Sequence, residues 1–335
     1  MSSNTKNLWK YCTTEHCKEL LISFQLFGQT KWSKEKQITC LYTLSNHIQD
    51  HYLPISIPKR DGTLRQLHVP DQLLKNIQRN ILHHILNSLP ISTYAMAYHK
   101  GATILTNAQA HIQQPQILKL DIENFFGTII FPMVYQYAFP NRSFPPAVRS
   151  LLTHLCCYKD YLPQGAPTSA TISNLIMRPF DEYMGKWCKE KEIIYTRYCD
   201  DMIFSGEFNQ KEVKNKVQNY LQAIGFNLNE KKTKLITTHH KQIVTGITVN
   251  QKPQVCLQYR KNLRQTIYYC LKFGVLSHLK RIKDTQYLPL GQQGIIRFLY
   301  AIQGKINFIL QVNPDDQYFT QAKIDIKKLL KQHSL

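Results

Sequence analysis

Asp200 and Asp201 stand side by side in "IIYTRYCDDMIFSG", residues 193–206, between two short apolar runs that read as paired strands. A third carboxylate, Asp121, closes the run "ILKLD". Strand alternation there puts Leu118 and Leu120 on one face and Lys119 and Asp121 on the other, which predicts Asp121 on the open face of a sheet. Two carboxylates about 4 Å apart repel by roughly 4 kcal/mol at an effective dielectric near 20. A fold that gathers three therefore needs a cation or a shared proton. Oxygen-only ligands suit Mg²⁺ or Mn²⁺. A pair of such ions can activate an attacking hydroxyl and stabilise a leaving pyrophosphate. Taken alone, the Asp-Asp dipeptide reads more naturally as a solvated turn, because Asp is a common turn residue. Other stretches have to decide.

The elements that would position these residues are legible in outline. Residues 1–50 read as helical. Residues 52–71 give two strand-like runs about "KRDG", with Asp61-Gly62 as the turn signal. Residues 72–89 carry an apolar helical face of Leu73, Leu74, Ile77, Ile81, Leu82, Ile85 and Leu86. A strand at 116–122, a helix after the prolines of "SFPPAVRSLLTHLCCY" and a long helix in "PTSATISNLIMRPFDEYMGKWCKEK" follow. After the Asp-Asp hairpin comes a helix ended by Gly225, short strands in "FNLNEKKTKLI" and "QIVTGITVN", and a mostly helical remainder. This is an α+β pattern: an antiparallel sheet core with helices segregated around it and a helical C-terminal part.

Bulk properties narrow the partner. Of 335 residues, 43% are hydrophobic, a globular composition. Forty-two Lys and Arg face 22 Asp and Glu, giving a net charge of +20. From residue 251 on, fourteen cations face four anions, so half the excess lies in the last quarter of the chain. Such a surplus marks a polyanion partner, nucleic acid before membrane. The nine cysteines have no paired CxxC spacing, which supports neither a zinc site nor a disulfide framework and predicts reduced thiols. No apolar run approaches a membrane span, and the N-terminal stretch has no apolar signal region, so no membrane association and a cytoplasmic location are expected.

"YCDD" at 198–201 resembles the YxDD box of reverse transcriptases. "LKLDIENFFGTI", 118–129, resembles the preceding box, "LPQGAPTSATISNL", 162–175, the box between the two, and "GFNLNEKKTKLI", 225–236, the next one. They occur in the family's order. "NAQAH", 107–111, and "VTG", 244–246, resemble the NAxxH and VTG elements of bacterial retron reverse transcriptases. The resemblance runs over roughly residues 50–312. It implies a right-hand polymerase: a helical N-terminal region (1–50), fingers with part of the palm (51–115), a palm with the catalytic aspartates (116–250) and a basic thumb that binds RNA or duplex (251–335).

By the same resemblance, Asp121, Asp200, Asp201 and the Ile122 carbonyl would bind two Mg²⁺ ions, Mn²⁺ being an alternative. Phe126 takes the steric-gate position, Gln164 and Gly165 border the incoming nucleotide, and Lys59 and Arg65 match the fingers cations on its triphosphate. Asn229 and Lys232 match the lysine box, with Lys232 as a general acid for pyrophosphate; Lys231 lies beside it and keeps that assignment open by one residue. Tyr198 would lie near the primer terminus, with Cys199 where retrons most often have alanine. Arg197 is placed on the template-primer, with a plain strand-face cation as the alternative. Asn107, His111, Val244, Thr245 and Gly246 would help bind the family's structured RNA, although His111 also reads as a satisfied buried histidine. In "GIIRFLYAIQGKINFILQVNP", apolar helical spacing combined with Arg297 and Lys305 suits a helix that presents cations to an A-form duplex.

The function implied is RNA-directed DNA synthesis of the retron kind. The chain would copy part of its cognate structured noncoding RNA into a short single-stranded DNA (msDNA) from dNTPs, primed by a guanosine 2′-OH, and stay bound to the branched product. An effector protein of the same locus and a role in antiphage defence are further expectations of that resemblance. Group II intron and diversity-generating polymerases share the chemistry. Intron enzymes usually carry extra maturase or endonuclease domains, for which the chain beyond the match is expected to be too short. A binding scaffold that restrains a toxic partner is a reading from a different class, against which the three intact aspartates speak. A helix-turn-helix regulator would leave those carboxylates unexplained.

Overall fold

The computed structural model describes residues 9–58 and 62–334. Lys59 and most of the "KRDG" turn lie outside the described residues. The chain divides into two compact units, one built from residues up to Ala102 together with Leu118–Leu235, the other from Thr103–Ile117 together with the residues from Ile236 onward. Among the described residues no helix is long and apolar enough to cross a membrane.

The first unit opens with helices Thr14–Ser23 and Lys34–Asn46, capped by Thr13 and Ser33, whose hydroxyls accept the N–H groups of His16 and Lys36. Both pack against helix Pro146–Cys156. Strands β1 (Tyr52–Pro58) and β2 (Leu64–Pro70) form an antiparallel hairpin. Helix Gln72–His84 follows and buries Leu74, Ile77, Gln78 and Ile81. Its N-cap Asp71 also accepts His51 Nδ1 at 2.6 Å.

The catalytic candidates lie on a four-stranded sheet made by β3 (Gln116–Asp121), β4 (Ile194–Tyr198), β5 (Asp201–Ser205) and β6 (Lys234–Thr237), in the order β4-β5-β3-β6. β4 and β5 pair from Ile194–Ser205 to Tyr198–Asp201, leaving a two-residue turn at Cys199 and Asp200. Helix Ser169–Glu190 backs this sheet and buries thirteen of its residues, from Ser169 to Cys188. It carries Pro179 in its interior. Two separated apolar runs become one layer because sheet and helix enclose the same core: Leu118, Leu120, Tyr195, Met202, Phe204, Phe180 and Met184 are all buried.

A charge pair sits inside that core. Arg197 on β4 and Asp181 on helix Ser169–Glu190 are both 0% exposed. Arg197 Nε donates to Asp181 Oδ1 at 2.8 Å and Nη2 to Oδ2 at 2.6 Å. Nη1 donates to the Cys199 carbonyl at 2.8 Å and Nη2 also to Asn174 Oδ1 at 3.2 Å. Tyr195 Oη donates to Asp181 at 2.8 Å. The expectation of Arg197 on the template-primer is therefore corrected: its guanidinium is enclosed and engaged. Sequence alternation identified the strand but could not show that a carboxylate from a distant helix meets it.

In the second unit, helix Ile104–Gln109 packs on β7 (Ile243–Val244) and β8 (Ile247–Thr248), which with β9 (Gln254–Val255) form a three-stranded antiparallel sheet. Thr245 and Gly246 make the hairpin turn with φ of +44° and +86°. Positive φ at both central residues matches the twist of a tight hairpin, and Thr245 Oγ1 donates to the Ile104 carbonyl at 2.7 Å. Helices Leu257–Phe273, Gly291–Val312 and Gln317–Ser334 complete the unit. The buried Asp316 joins them, accepting the Phe319 N–H and pairing with Arg260 at 3.3 Å.

Removing one member of a buried pair leaves the other charged and unpaired, at about 3–5 kcal/mol. Arg197→Ala and Asp181→Ala should each lower unfolding free energy by that amount in a denaturant titration. The double variant should cost clearly less than the sum of the two.

Candidate active site

Asp121 ends β3, the strand flanked by β5 and β6. Its neighbours are held by the backbone on both sides: the Ile122 N–H donates to the Asp200 carbonyl at 3.2 Å, while the Asn229 N–H donates to the Asp121 carbonyl at 2.8 Å and the Glu123 N–H to the Asn227 carbonyl at 2.9 Å. β-pairing thus draws residues 121, 200 and 229 together although they are far apart in the chain.

Asp121 is 4% exposed, which corrects its expected place on an open face. Lys232 covers it, with Nζ 2.8 Å from Oδ2. This contact selects Lys232 over Lys231 as the lysine at the site. Asp121 Oδ1 is buried with no hydrogen-bond partner. Burial raises the Asp121 pKa, and the Lys232 hydrogen bond opposes that shift without cancelling it. The Lys232 pKa is raised as well: burial pulls it down, but the bond to Asp121 and the charges of Asp200 and Asp201 outweigh burial. A salt-bridged aspartate ordinarily shifts down; here burial, helped by the charge of Asp200, outweighs Lys232 and Asn229.

Asp201 opens β5 and its pKa is pushed up to about 6 by desolvation, then by Asp200 and Asp121. Part of the residue still reaches solvent. Among the described residues no three His, Cys, Asp or Glu side chains close on one point as metal ligands do. The three aspartates lie within electrostatic range of one another, and the Lys232 ammonium supplies the positive charge. The donor set is oxygen only and includes one orphaned buried oxygen, which fits a hard divalent cation.

A cavity of about 560 Å³ lies in the same unit, lined in part by Gln66, His68, Asn124, Gly127, Tyr161 and Gln164. The "LPQG" loop is docked on β2, where His68 N–H donates to the Gln164 carbonyl at 2.8 Å. Gly165 has φ +118°, and a Cβ there would meet the His68 carbonyl at 3.0 Å, so only glycine lets the loop approach this closely. Phe126 is half-buried on helix Phe125–Thr128, edge-on to the buried Phe125 at 5.4 Å. Asn124 precedes that helix with φ +45°. Arg65 is exposed on β2 opposite Ile57. Alternation puts it on the strand face opposite Gln66 and His68, which line the cavity. His68, Asn124 and Tyr161 also line this cavity and were not singled out from the sequence.

Tyr198 is partly buried beside the turn. Asn107, His111 and Val244 are completely buried, so a place for their side chains against primer or template is corrected, and His111 is the buried histidine the sequence also allowed. Both polar atoms of Asn107 lack a hydrogen-bond partner. Thr245 is partly buried and Gly246 exposed at the hairpin tip. Arg297 and Lys305 are exposed on helix Gly291–Val312, whose Ile295, Phe298, Leu299, Ile302 and Ile306 point inward.

With this geometry in view, residues 57–266 match the family described as Reverse transcriptase (RNA-dependent DNA polymerase). The chain is similar to the Retron Ec86 reverse transcriptase of Escherichia coli, 32% identical over 224 residues, covering 65% of this chain and 69% of that protein. It is also similar to the Retron Ec83 reverse transcriptase of Escherichia coli, 32% identical over 270 residues, covering 76% and 83%. The chain belongs to the bacterial retron reverse transcriptases. Among solved structures, apo telomerase from Candida tropicalis shares the fold, with a TM-score of 0.51 and 15% identity over 84% of this chain and 58% of that one. The α+β polymerase fold and RNA-directed DNA polymerase activity follow from this membership. In this chain Asp200 lies on the β4–β5 turn, Asp201 opens β5 and Asp121 ends β3.

The pH behaviour of this retron enzyme has a definite sign. The folded-state pKa of Asp201 lies above its ordinary 3.8, at about 6. Its contribution to stability is therefore fully present below about pH 4 and is lost as pH rises through 6. In chelator, the wild-type unfolding midpoint should fall over that window more steeply than that of Asp201→Asn.

Proposed function

We propose that the chain copies part of a structured noncoding RNA, which it binds, into single-stranded DNA by two-metal nucleotidyl transfer. The observation that carries this reading is the orphaned Oδ1 of Asp121 in an oxygen-only group with Asp200 and Asp201. These three side chains and the Ile122 carbonyl would hold two Mg²⁺ ions, or Mn²⁺. Bound there, the ions would activate the attacking hydroxyl and offset the charge of the leaving pyrophosphate.

The protein's own residues complete the site. Phe126 would crowd a ribose 2′-OH and so select dNTPs. Gln164, with Gly165 next to it, would border the incoming nucleotide at the cavity wall, and Lys59 and Arg65 would close on its triphosphate from the hairpin, Arg65 reaching round from the strand face turned away from that wall. Lys232 Nζ holds Asp121 and carries the proton that pyrophosphate would take. The exposed Arg297 and Lys305, on a helix with an apolar inner face, would contact the phosphates of an A-form duplex. In this reading residues 51–115 act as fingers, 116–250 as palm and 251–335 as thumb. Priming from a guanosine 2′-OH, retention of the branched msDNA, an effector protein of the same locus and a role in antiphage defence complete the proposal.

Expression with the native flanking DNA, beside an Asp200→Ala, Asp201→Ala version, tests this reading. Sequencing of copurified nucleic acid should find DNA joined to RNA through a 2′–5′ branch in the first preparation alone. RNA without DNA in both would overturn the proposal and leave an RNA-binding scaffold. Arg297→Ala and Lys305→Ala should each reduce the slope of log affinity against log salt by about 1, with little change in sequence preference.

A further inference from the structure

The segment from Tyr94 to Tyr98 runs alongside β4 as an extra edge of the palm sheet. Arg197 N–H donates to the Tyr94 carbonyl at 2.8 Å, and Met96 N–H to the Arg197 carbonyl at 2.7 Å, around a parallel bridge between Ala95 and Arg197. Asn174 Nδ2 donates to the Ala97 carbonyl at 2.8 Å. The Tyr94 ring packs on Tyr195 at 5.6 Å, over Gly185, where a Cβ would collide with that ring. The segment is thus anchored residue by residue up to Ala97.

Tyr98 then takes φ +62°, and Cys199, in the catalytic turn, takes φ +61°. A tyrosine in this region is a strained exception, and such strain persists where the surroundings over-determine it. The Tyr98 hydroxyl lies against the Cys199 thiol and near Asp200, in a desolvated position, while the residue as a whole is 46% exposed. The residue thus reaches the turn with its hydroxyl end while remaining partly open to solvent.

We propose that Tyr98 is a primer-binding residue whose partly exposed side chain supports the terminal nucleotide of the primer strand beside the Asp200–Asp201 turn. The inference rests on the polymerase reading of that turn. An aromatic face accepts any base or sugar, so the contact suits an enzyme that moves along its product, and its loss weakens binding by about tenfold.

The test uses the full chain and a DNA primer annealed to an RNA template. Duplex affinity is read by fluorescence anisotropy without nucleotides, and single-nucleotide addition is read separately. Tyr98→Gly removes the ring while relieving the positive φ, so thermal stability should hold or rise. Duplex affinity should fall about tenfold, and the dNTP KM should move by less than about twofold. Tyr98→Phe, which keeps the ring, should bind within about twofold of wild type. A Tyr98→Gly protein that binds duplex as tightly as wild type, while wild type extends the primer, overturns this inference alone. A wild-type protein that extends no primer on RNA overturns the polymerase reading and this inference with it.

Discussion

The buried Arg197–Asp181 pair is the constraint on which the four-stranded sheet and its backing helix depend. A guanidinium and a carboxylate taken wholly out of water are tolerated only when each finds nearly all its hydrogen bonds. Here that requirement ties separate pieces of chain together. Asp181 and Asn174 come from one helix, Tyr195 and Arg197 from β4 and the Cys199 carbonyl from the β4–β5 turn, while the Arg197 backbone N–H separately holds the Tyr94 carbonyl of the neighbouring segment. An apolar residue at position 197 would fill the space but could not hold the Cys199 carbonyl. The geometry of the turn is thereby coupled to the integrity of the core.

Around that anchor the site is an arrangement of unfavourable charges held in check. Asp121 is buried with one oxygen unpaired, Asp201 is pressed toward protonation, and Lys232 closes over Asp121 from a short helical turn after Asn229. Strain accompanies the charge: Asn124, Cys199 and Tyr98 all have left-handed backbone, and each borders the aspartates or the adjoining cavity. Stability is given up in one small region, and a large apolar core supports it.

The second unit shows a different division of labour. Its apparent recognition motifs, "NAQAH" and "VTG", bury their most distinctive side chains and brace one another, through Thr245 Oγ1 and the Ile104 carbonyl. What remains outside is Gly246 at the hairpin tip and the basic faces of the long helices. A motif can therefore belong to a binding region and act by shaping it.

The sequence by itself determined the strands, the helices, the three aspartates and the class of chemistry, because these depend on local periodicity and on residue types with few alternative uses. The hairpin at 193–206, the strand ending in Asp121 and the inward stripe of helix Gly291–Val312 were all legible in this way. Tertiary structure alone decided which polar residues face one another. It turned Arg197 inward, chose Lys232 over Lys231, closed Asp121 off from solvent and brought Tyr98 to the catalytic turn. Periodicity reports the face on which a side chain lies, whereas its partner is set by pairing between segments as much as a hundred residues apart, and no local pattern encodes that.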